Sequence, residues 1–356
     1  MSLMDKLKKN STVKEADSLQ DSQFFKPKDM AQTDVPAINI ALSGRLDGGV
    51  SPGLLVLAGP SKHFKTNFSL KMAQAYLNKH DDAILLFYDT EFGSPQEYFE
   101  SFGIPLDRVF HTPVDDIEEM RHDLANQLDN IEKGDKVIII IDSVGNAASR
   151  KESEDALSGK SAADMTRAKV MKSLFRIVTP KLKRKEIPMI AINHTYQSME
   201  MFSKPVVSGG TGIYYSANDI WIIGRQQDKD GTEIKGYHFV INIDKSRFVK
   251  EKAKIPVSVS WEGGIQQWSG LLAMALEGNF VAKPKNGWYQ MVDQETGELV
   301  GKSYREKETM SAEFWVPIIK ETDFPTFIMK KYKQQDSELQ TNDYLEVLEG
   351  LSSDED

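Results

Sequence analysis

The 356-residue chain has no cysteine. That excludes a disulfide framework, a thiolate nucleophile and a cysteine-held metal. It also lacks any apolar run near the ~20 residues a membrane-crossing helix requires. Its first residues, Met1-Ser2-Leu3-Met4-Asp5-Lys6-Leu7-Lys8-Lys9, carry charges with no apolar stretch behind them, so no secretory leader is expected. The composition is otherwise that of an ordinary globular protein, long enough for one large core and a smaller module. A cytoplasmic location is the expectation.

An excess of positive charge is missing too. The net charge is −9, which taken alone argues against nucleic acid. The charge is unevenly spread. Residues 335–356 hold eight acidic residues and no basic one, leaving −1 for the rest. Residues 150–185 hold eleven basic and four acidic residues, a local +7. Such a stripe can bind a phosphate backbone whatever the global charge. A solvated helix face is the other reading.

What the chain does have is Leu54-Leu55-Val56-Leu57-Ala58 followed by Gly59-Pro60-Ser61-Lys62-His63-Phe64-Lys65-Thr66-Asn67 and a helical pattern. Strand, turn, Lys-Thr and helix is the layout of a phosphate-binding loop. Backbone N–H groups and a helix N-terminus would face the phosphates. Lys65 would reach the β/γ-phosphates and Thr66 a Mg²⁺. The usual glycine before the lysine is Phe64, a bulky residue where glycine adopts the backbone without strain. A surface turn that contains Lys-Thr therefore stays open at this point.

Further along, Ala83-Ile84-Leu85-Leu86-Phe87-Tyr88 and Val137-Ile138-Ile139-Ile140-Ile141 read as strands covered on both faces. The first ends in Asp89-Thr90-Glu91-Phe92-Gly93, the second in Asp142-Ser143, 77 residues after Lys65. Carboxylates at such strand ends lie beside the ligand crevice of an α/β sheet. Asp142 would orient the Mg²⁺ water shell, or simply cap a helix. A short strand is expected over 108–112, helices over 117–131 and 165–182, and a buried strand over 187–194. Stretches 145–166 and 195–212 read as irregular. Residues 219–224, 237–247 and 255–261 read as strands, the last two antiparallel. From Gly270 a mixed segment carries Trp288, Tyr289, Phe314 and Trp315. The acidic tail reads as disordered.

Taken together these blocks resemble the RecA family of DNA strand-exchange proteins, and within it the recombinases of T4-type bacteriophages. The resemblance rests on Gly59 to Thr66, Phe87-Tyr88-Asp89-Thr90-Glu91-Phe92-Gly93, Ile141-Asp142-Ser143-Val144-Gly145-Asn146, Ala191-Ile192-Asn193-His194-Thr195-Tyr196, Gly209-Gly210-Thr211-Gly212 and Lys245-Ser246-Arg247. It covers most of residues 20–335. The phage group also lacks the loop glycine, so Phe64 no longer counts against nucleotide binding.

The resemblance implies an α/β fold. It would have a RecA-type P-loop ATPase core around a central, mostly parallel sheet (34–269), an N-terminal oligomerisation arm (1–33), a small α+β C-terminal domain (270–335) and the acidic tail (336–356). It implies ATP and Mg²⁺. Residues 59–67 would hold the nucleotide, with Lys65 and Thr66 on phosphate and metal and Asp142 in the metal shell. Glu91 would activate the attacking water and Tyr98 would stack on adenine. His194 falls where bacterial RecA senses the γ-phosphate with a glutamine. Lys245 and Arg247 match a basic pair that reaches a neighbour's ATP. For Tyr98, His194 and the basic pair, a core tyrosine, a structural histidine and a surface pair stay open. Loops 145–166 and 195–212 match the two DNA-binding loops, which nominates Arg150, Lys151, Lys160, Arg167, Lys204, Gly209, Gly210 and Gly212 for DNA. Implied partners are single-stranded and double-stranded DNA, further copies in a helical filament, a single-strand-binding protein and a loader or mediator. No membrane is implied, and the location would be the infected host cell's cytoplasm. A RecA-core hexameric helicase or motor shares the site residues, and a non-hydrolysing DNA scaffold is a third class.

Overall fold

Runs of consecutive apolar residues form the middle of the molecule, because a strand packed on both faces has no polar side to show. The computed structural model describes residues 2–13, 15–22, 29–159, 166–198, 204–230, 233–261 and 264–334. In chain order the elements are α1 (Leu3–Asn10), α2 (Pro36–Ser43), β1 (Gly53–Ala58), α3 (Lys65–Lys79), β2 (Ile84–Asp89), α4 (Gln96–Ser101), β3 (Val109–Pro113), α5 (Ile117–Asn130) and β4 (Val137–Asp142). Then come α6 (Arg150–Leu157), α7 (Thr166–Lys185), β5 (Pro188–Asn193), β6 (Thr195–Gln197), β7 (Pro205–Val207), α8 (Thr211–Ser216), β8 (Asp219–Asp230), β9 (Glu233–Lys245), β10 (Lys254–Ser260) and β11 (Gly264–Ile265). The chain continues with α9 (Leu271–Glu277), β12 (Val281–Lys285), β13 (Trp288–Val292), β14 (Leu299–Arg305), α10 (Ala312–Glu321) and α11 (Phe324–Tyr332).

Nine strands form one sheet in the order β11-β10-β9-β8-β1-β5-β4-β2-β3. From β8 to β3 neighbours run parallel. β9, β10 and β11 extend it antiparallel. β1 shows how the pleat divides the core. Leu55 and Leu57 enter the apolar cluster that holds α2 and α3, while Leu54, Val56 and Ala58 enter the cluster that holds α5 and α7. In α5, Ile117, Met120, Leu124 and Leu128 recur at helical spacing and are all buried; each contributes ~1.5–3 kcal/mol by leaving water. Asp116 starts that helix by accepting the Glu119 N–H at 2.7 Å.

The C-terminal segment adds the three-stranded sheet β12-β13-β14. Its Phe280, Trp315, Phe324 and Ile328 share one apolar cluster with Ile241, Ile255 and Val257 of the large sheet. At the other terminus, α1 buries no residue and exposes Leu3, Met4 and Leu7. Among the described residues no helix is long and apolar enough to cross a membrane.

Two stretches differ from the sequence expectation. Segment 195–212, read as irregular, contains the antiparallel pair β6/β7, and α8 begins at Thr211. Three-residue strands are too short to leave an alternating pattern. Segment 145–166 contains α6, whose Ser149 and Glu152 form a capping box. The expected tail, with Lys160 and part of the arm, lies outside the described residues.

Candidate nucleotide-binding site

β1 ends at Ala58, and the chain turns through residues 59–64 before α3 starts at Lys65. Phe64 sits at φ 55° and ψ 26°, and Lys62 at φ 61°. Glycine reaches this left-handed region freely; another residue held there costs roughly 1–3 kcal/mol. Packing offsets the cost at Phe64. Its ring lies 5.0 Å from Phe239 and 6.4 Å from Tyr237, centroid to centroid, both on β9. An aromatic anchor on the antiparallel wing thus holds the turn that glycine would hold by freedom alone.

The Lys65 side chain runs back under the loop and is only 7% exposed. Its ammonium donates to the Gly59 carbonyl at 3.1 Å and the Pro60 carbonyl at 2.8 Å. Burial holds its pKa below the ordinary lysine value, opposed by Glu91 and Asp142. The Thr66 hydroxyl donates to Asp142 Oδ2 at 2.7 Å. Asp142 ends β4 with 5% exposure. Burial pushes its carboxyl up to about 6, against the Thr66 hydrogen bond and with a smaller push from Glu91.

The fit of Mg²⁺ follows from these oxygens. A buried carboxylate beside a hydroxyl, next to a lysine, suits a hard cation that keeps several waters and takes its other ligands from phosphate. Among the described residues no group of three or more His, Asp or Glu side chains could hold a metal unaided.

Glu91 is fixed by groups from three strand ends. Asp89 Oδ1 accepts the backbone N–H groups of Glu91 (3.0 Å) and Phe92 (2.8 Å), and Asp89 Oδ2 lies 3.2 Å from His111 Nε2. Thr90 Oγ1 donates to the Ser143 carbonyl at 2.9 Å and accepts the Ser143 N–H at 3.0 Å. Ser143 Oγ donates to Glu91 Oε1 at 2.7 Å. That same oxygen is 3.3 Å from His194 Nε2. Gly145 makes room for the His194 ring, since a Cβ there would lie 2.5 Å from His194 Cδ2.

Lys65, Thr66, Asp142, Glu91 and His194 line a cleft of about 510 Å³ with Ser61, Lys62, His63, Phe64, Asn67 and Tyr98. Tyr98 is hydrogen-bonded to Asn67, and burial pushes its phenol up to about 12. The opposite rim holds Arg225, Tyr237 and Trp261, which sequence reasoning missed. Arg225 donates to the Lys62 carbonyl at 2.9 Å and lies 4.6 Å over the Tyr237 ring. Trp261 sets its edge on Tyr237 at 5.3 Å. Ser143 was also missed as a partner of Glu91, although it directly follows Asp142.

The remaining nominated residues lie elsewhere. Lys245 pairs with Ile220, which is abreast of Val56, so Lys245 and Arg247 point toward the amino end of the parallel strands and neither lines the cleft. Arg150 Nε meets Asp116 at 3.0 Å, and Lys151 pairs with Asp155 one turn on. Arg167, expected on DNA, instead donates to the carbonyls of Ala147 (2.8 Å), Val144 (3.0 Å) and Gly145 (2.6 Å). Its guanidinium fork fits the loop after β4 through Nε and Nη2. Lys204 is exposed at the start of β7. Two of the nominated glycines also have a packing role. A Cβ on Gly209 would meet Met171 Sδ at 2.1 Å and one on Gly212 would meet Lys172 Cβ at 2.8 Å, so both serve the packing of α8 on α7. Gly210, at φ +72° with open space around it, keeps its backbone accessible.

The chain matches known proteins along most of its length. Residues 11–266 match the family model described as the RecA N-terminal domain, and residues 268–328 match that of the C-terminal domain of the bacteriophage T4 recombination and repair protein. The chain is 53% identical over 335 residues to the recombination and repair protein of Enterobacteria phage T4, covering 93% of this chain and 86% of that one. It is 26% identical over 276 residues to protein RecA of Streptomyces coelicolor, covering 76% and 71%. A solved structure of the RadB recombinase aligns with a TM-score of 0.46 at 21% identity, covering 62% of this chain and 93% of that one. With the family model spanning most of its length and the T4 relative covering nearly all of it, the chain belongs to the RecA family.

Proposed function

We propose that this RecA-family recombinase binds ATP with Mg²⁺ in the cleft over Lys65 and hydrolyses it with the help of a second subunit. The cycle holds a helical filament on single-stranded DNA and lets it pair with homologous double-stranded DNA. One observation carries the reading. Lys65, Thr66, Asp142 and Glu91 share one cleft at the carboxyl end of the sheet, while Lys245 and Arg247 stand toward its opposite end. A contact that joins unlike ends of identical subunits is heterologous, and where its rotation does not close into a ring it generates filaments.

Each residue then has a task. Lys65 leaves its loop carbonyls for the β/γ-phosphates, and Tyr98 offers a flat face to adenine beside Asn67. Glu91, a hydrogen-bond acceptor held by Ser143, orients a water toward the γ-phosphate. His194, at the end of β5 and the start of the β6/β7 hairpin, links that carboxylate to a DNA-facing loop. Thr66 and Asp142 would hold the Mg²⁺, which when bound would supply charge neutralisation to the phosphates. Lys245 and Arg247 of an adjoining subunit stabilise the charge that develops in transfer. Gly210, Lys204 and the loop containing Lys160 face DNA. Segment 1–33 acts as a protomer-docking arm on the 34–269 core, 270–335 forms a small C-terminal domain and 336–356 an acidic tail. A single-strand-binding protein and a loader are the expected partners, in the cytoplasm of an infected cell.

The test is phosphate release and strand pairing with and without single-stranded DNA. Glu91→Gln is expected to bind ATP and form filaments while losing turnover by on the order of 10²- to 10⁴-fold. Near-normal turnover removes Glu91 from its role. Failure of the wild type to pair a single strand with its homologous duplex, given ATP and magnesium, overturns the whole reading. Hydrolysis within closed rings would favour the motor alternative.

A further inference from the structure

Asp219, the first residue of β8, is a buried carboxylate with no place in the nucleotide cleft; it is 6% exposed. Burying a carboxylate is costly unless its oxygens are engaged. Here they are engaged by one segment. The Ser246 hydroxyl donates to Asp219 Oδ1, and the Arg247 backbone N–H also bonds this carboxylate. Ser246 Oγ accepts the N–H groups of Phe248 at 3.0 Å and Val249 at 2.9 Å. Asp219 and Ser246 therefore form a buried staple at the centre of the Lys245-Ser246-Arg247 turn, and the side chains on either side of Ser246 are the two cations.

The cations need such a device. Among the described residues neither Lys245 nor Arg247 makes an ion pair, and Lys183 of α7 lies near enough for both to disfavour its charge. Lys245 rests its ammonium on the Tyr214 carbonyl at 2.6 Å, 5.3 Å from the Tyr214 ring. Like charges left to themselves would spread apart, and a turn without internal bonds would let them.

We propose that Asp219 and Ser246 are positioning residues that hold Lys245 and Arg247 in the geometry needed to reach the nucleotide of an adjoining subunit. This rests on the reading of that pair as acting in trans. Ser246→Ala removes the acceptor for two N–H groups and the donor to Asp219 while leaving both cations in the sequence. The expected result is a loss of DNA-stimulated kcat on the order of 10- to 100-fold, the cost of misplacing an otherwise intact group. KM for ATP should change little, because the pair acts on the charge that develops in transfer rather than on the bound nucleotide. Ser246→Thr, which keeps the hydroxyl, should restore most of the rate. Asp219→Asn gives a second route to the same loss.

Mixed filaments distinguish positioning from general damage. A Glu91→Gln subunit carries a normal basic turn but cannot hydrolyse. Mixed with Ser246→Ala it should raise phosphate release above the average of the two proteins measured separately, because intact turns now serve intact clefts. The same mixing applied to the Lys245→Ala/Arg247→Ala double variant is the control. Rescue of the double variant without rescue of Ser246→Ala overturns the positioning role and leaves the trans reading standing. Rescue of neither overturns both. An unchanged kcat in Ser246→Ala overturns the proposal directly.

Discussion

Asp142 is the group whose removal should act in opposite directions on stability and on function. Its carboxyl is 5% exposed and accepts a hydrogen bond from Thr66, and burial lifts it from an ordinary 3.8 to about 6. A folded-state pKa above the unfolded value means the native protein binds more protons between about pH 4 and pH 6. Stability from this group is therefore greatest below that window and falls as pH rises through it. At pH 8, keeping Asp142 ionised costs the nucleotide-free fold about 3 kcal/mol. Asp142→Asn keeps the size and an acceptor for Thr66 but removes the charge. The variant should be more stable than wild type by about 3 kcal/mol at pH 8 and by only about 1 kcal/mol at pH 4.5. Urea unfolding without nucleotide, followed by tryptophan fluorescence at both pH values, measures the difference. Magnesium-dependent ATP turnover of the same variant should collapse. Equal stability at pH 8, or a stability difference that does not shrink toward pH 4.5, would refute the argument that burial rather than pairing governs this carboxylate.

Three further substitutions test other parts of the molecule. Phe64→Gly relieves a left-handed backbone but loses the contacts with Phe239 and Tyr237; a net loss of about 1–2 kcal/mol is expected, read as a lower urea midpoint, and a gain would mean that strain outweighs packing. Arg167→Ala should lower stability by about 2–4 kcal/mol while leaving the salt dependence of single-stranded DNA binding unchanged, whereas Lys204→Ala should reduce that slope by roughly one counterion. A reduced slope in Arg167→Ala would return it to the DNA surface.

The main strands were legible because β1, β2, β4 and β5 are short apolar runs, the last three ending in Asp89, Asp142 and Asn193, and their order left few ways to place the loop beside Asp142. Arg225, Tyr237 and Trp261 were not. They come from β8, β9 and the end of β10, more than 150 residues from the loop, and only the register of those strands brings them to its rim. The carbonyl contacts of Arg167 were hidden for a related reason: a basic residue in a basic stripe gives no sign of whether carbonyls already claim it. Phe64 read as a defect on the residues alone and was accepted only through the resemblance; its physical support, the aromatic partners on β9, is announced by nothing near it in the sequence. Segment 195–212 read as irregular because its two strands are three residues each and follow no apolar alternation.

The sheet has a different tool at each end, a nucleotide cradle at one and a stapled cationic turn at the other. In the assembly proposed above, a row of n molecules has n cradles but only n − 1 junctions. The molecule at one tip always holds its ATP without help. That tip would be the last to exhaust its fuel, so the row would age from one side, and short rows would turn over less per molecule than long ones.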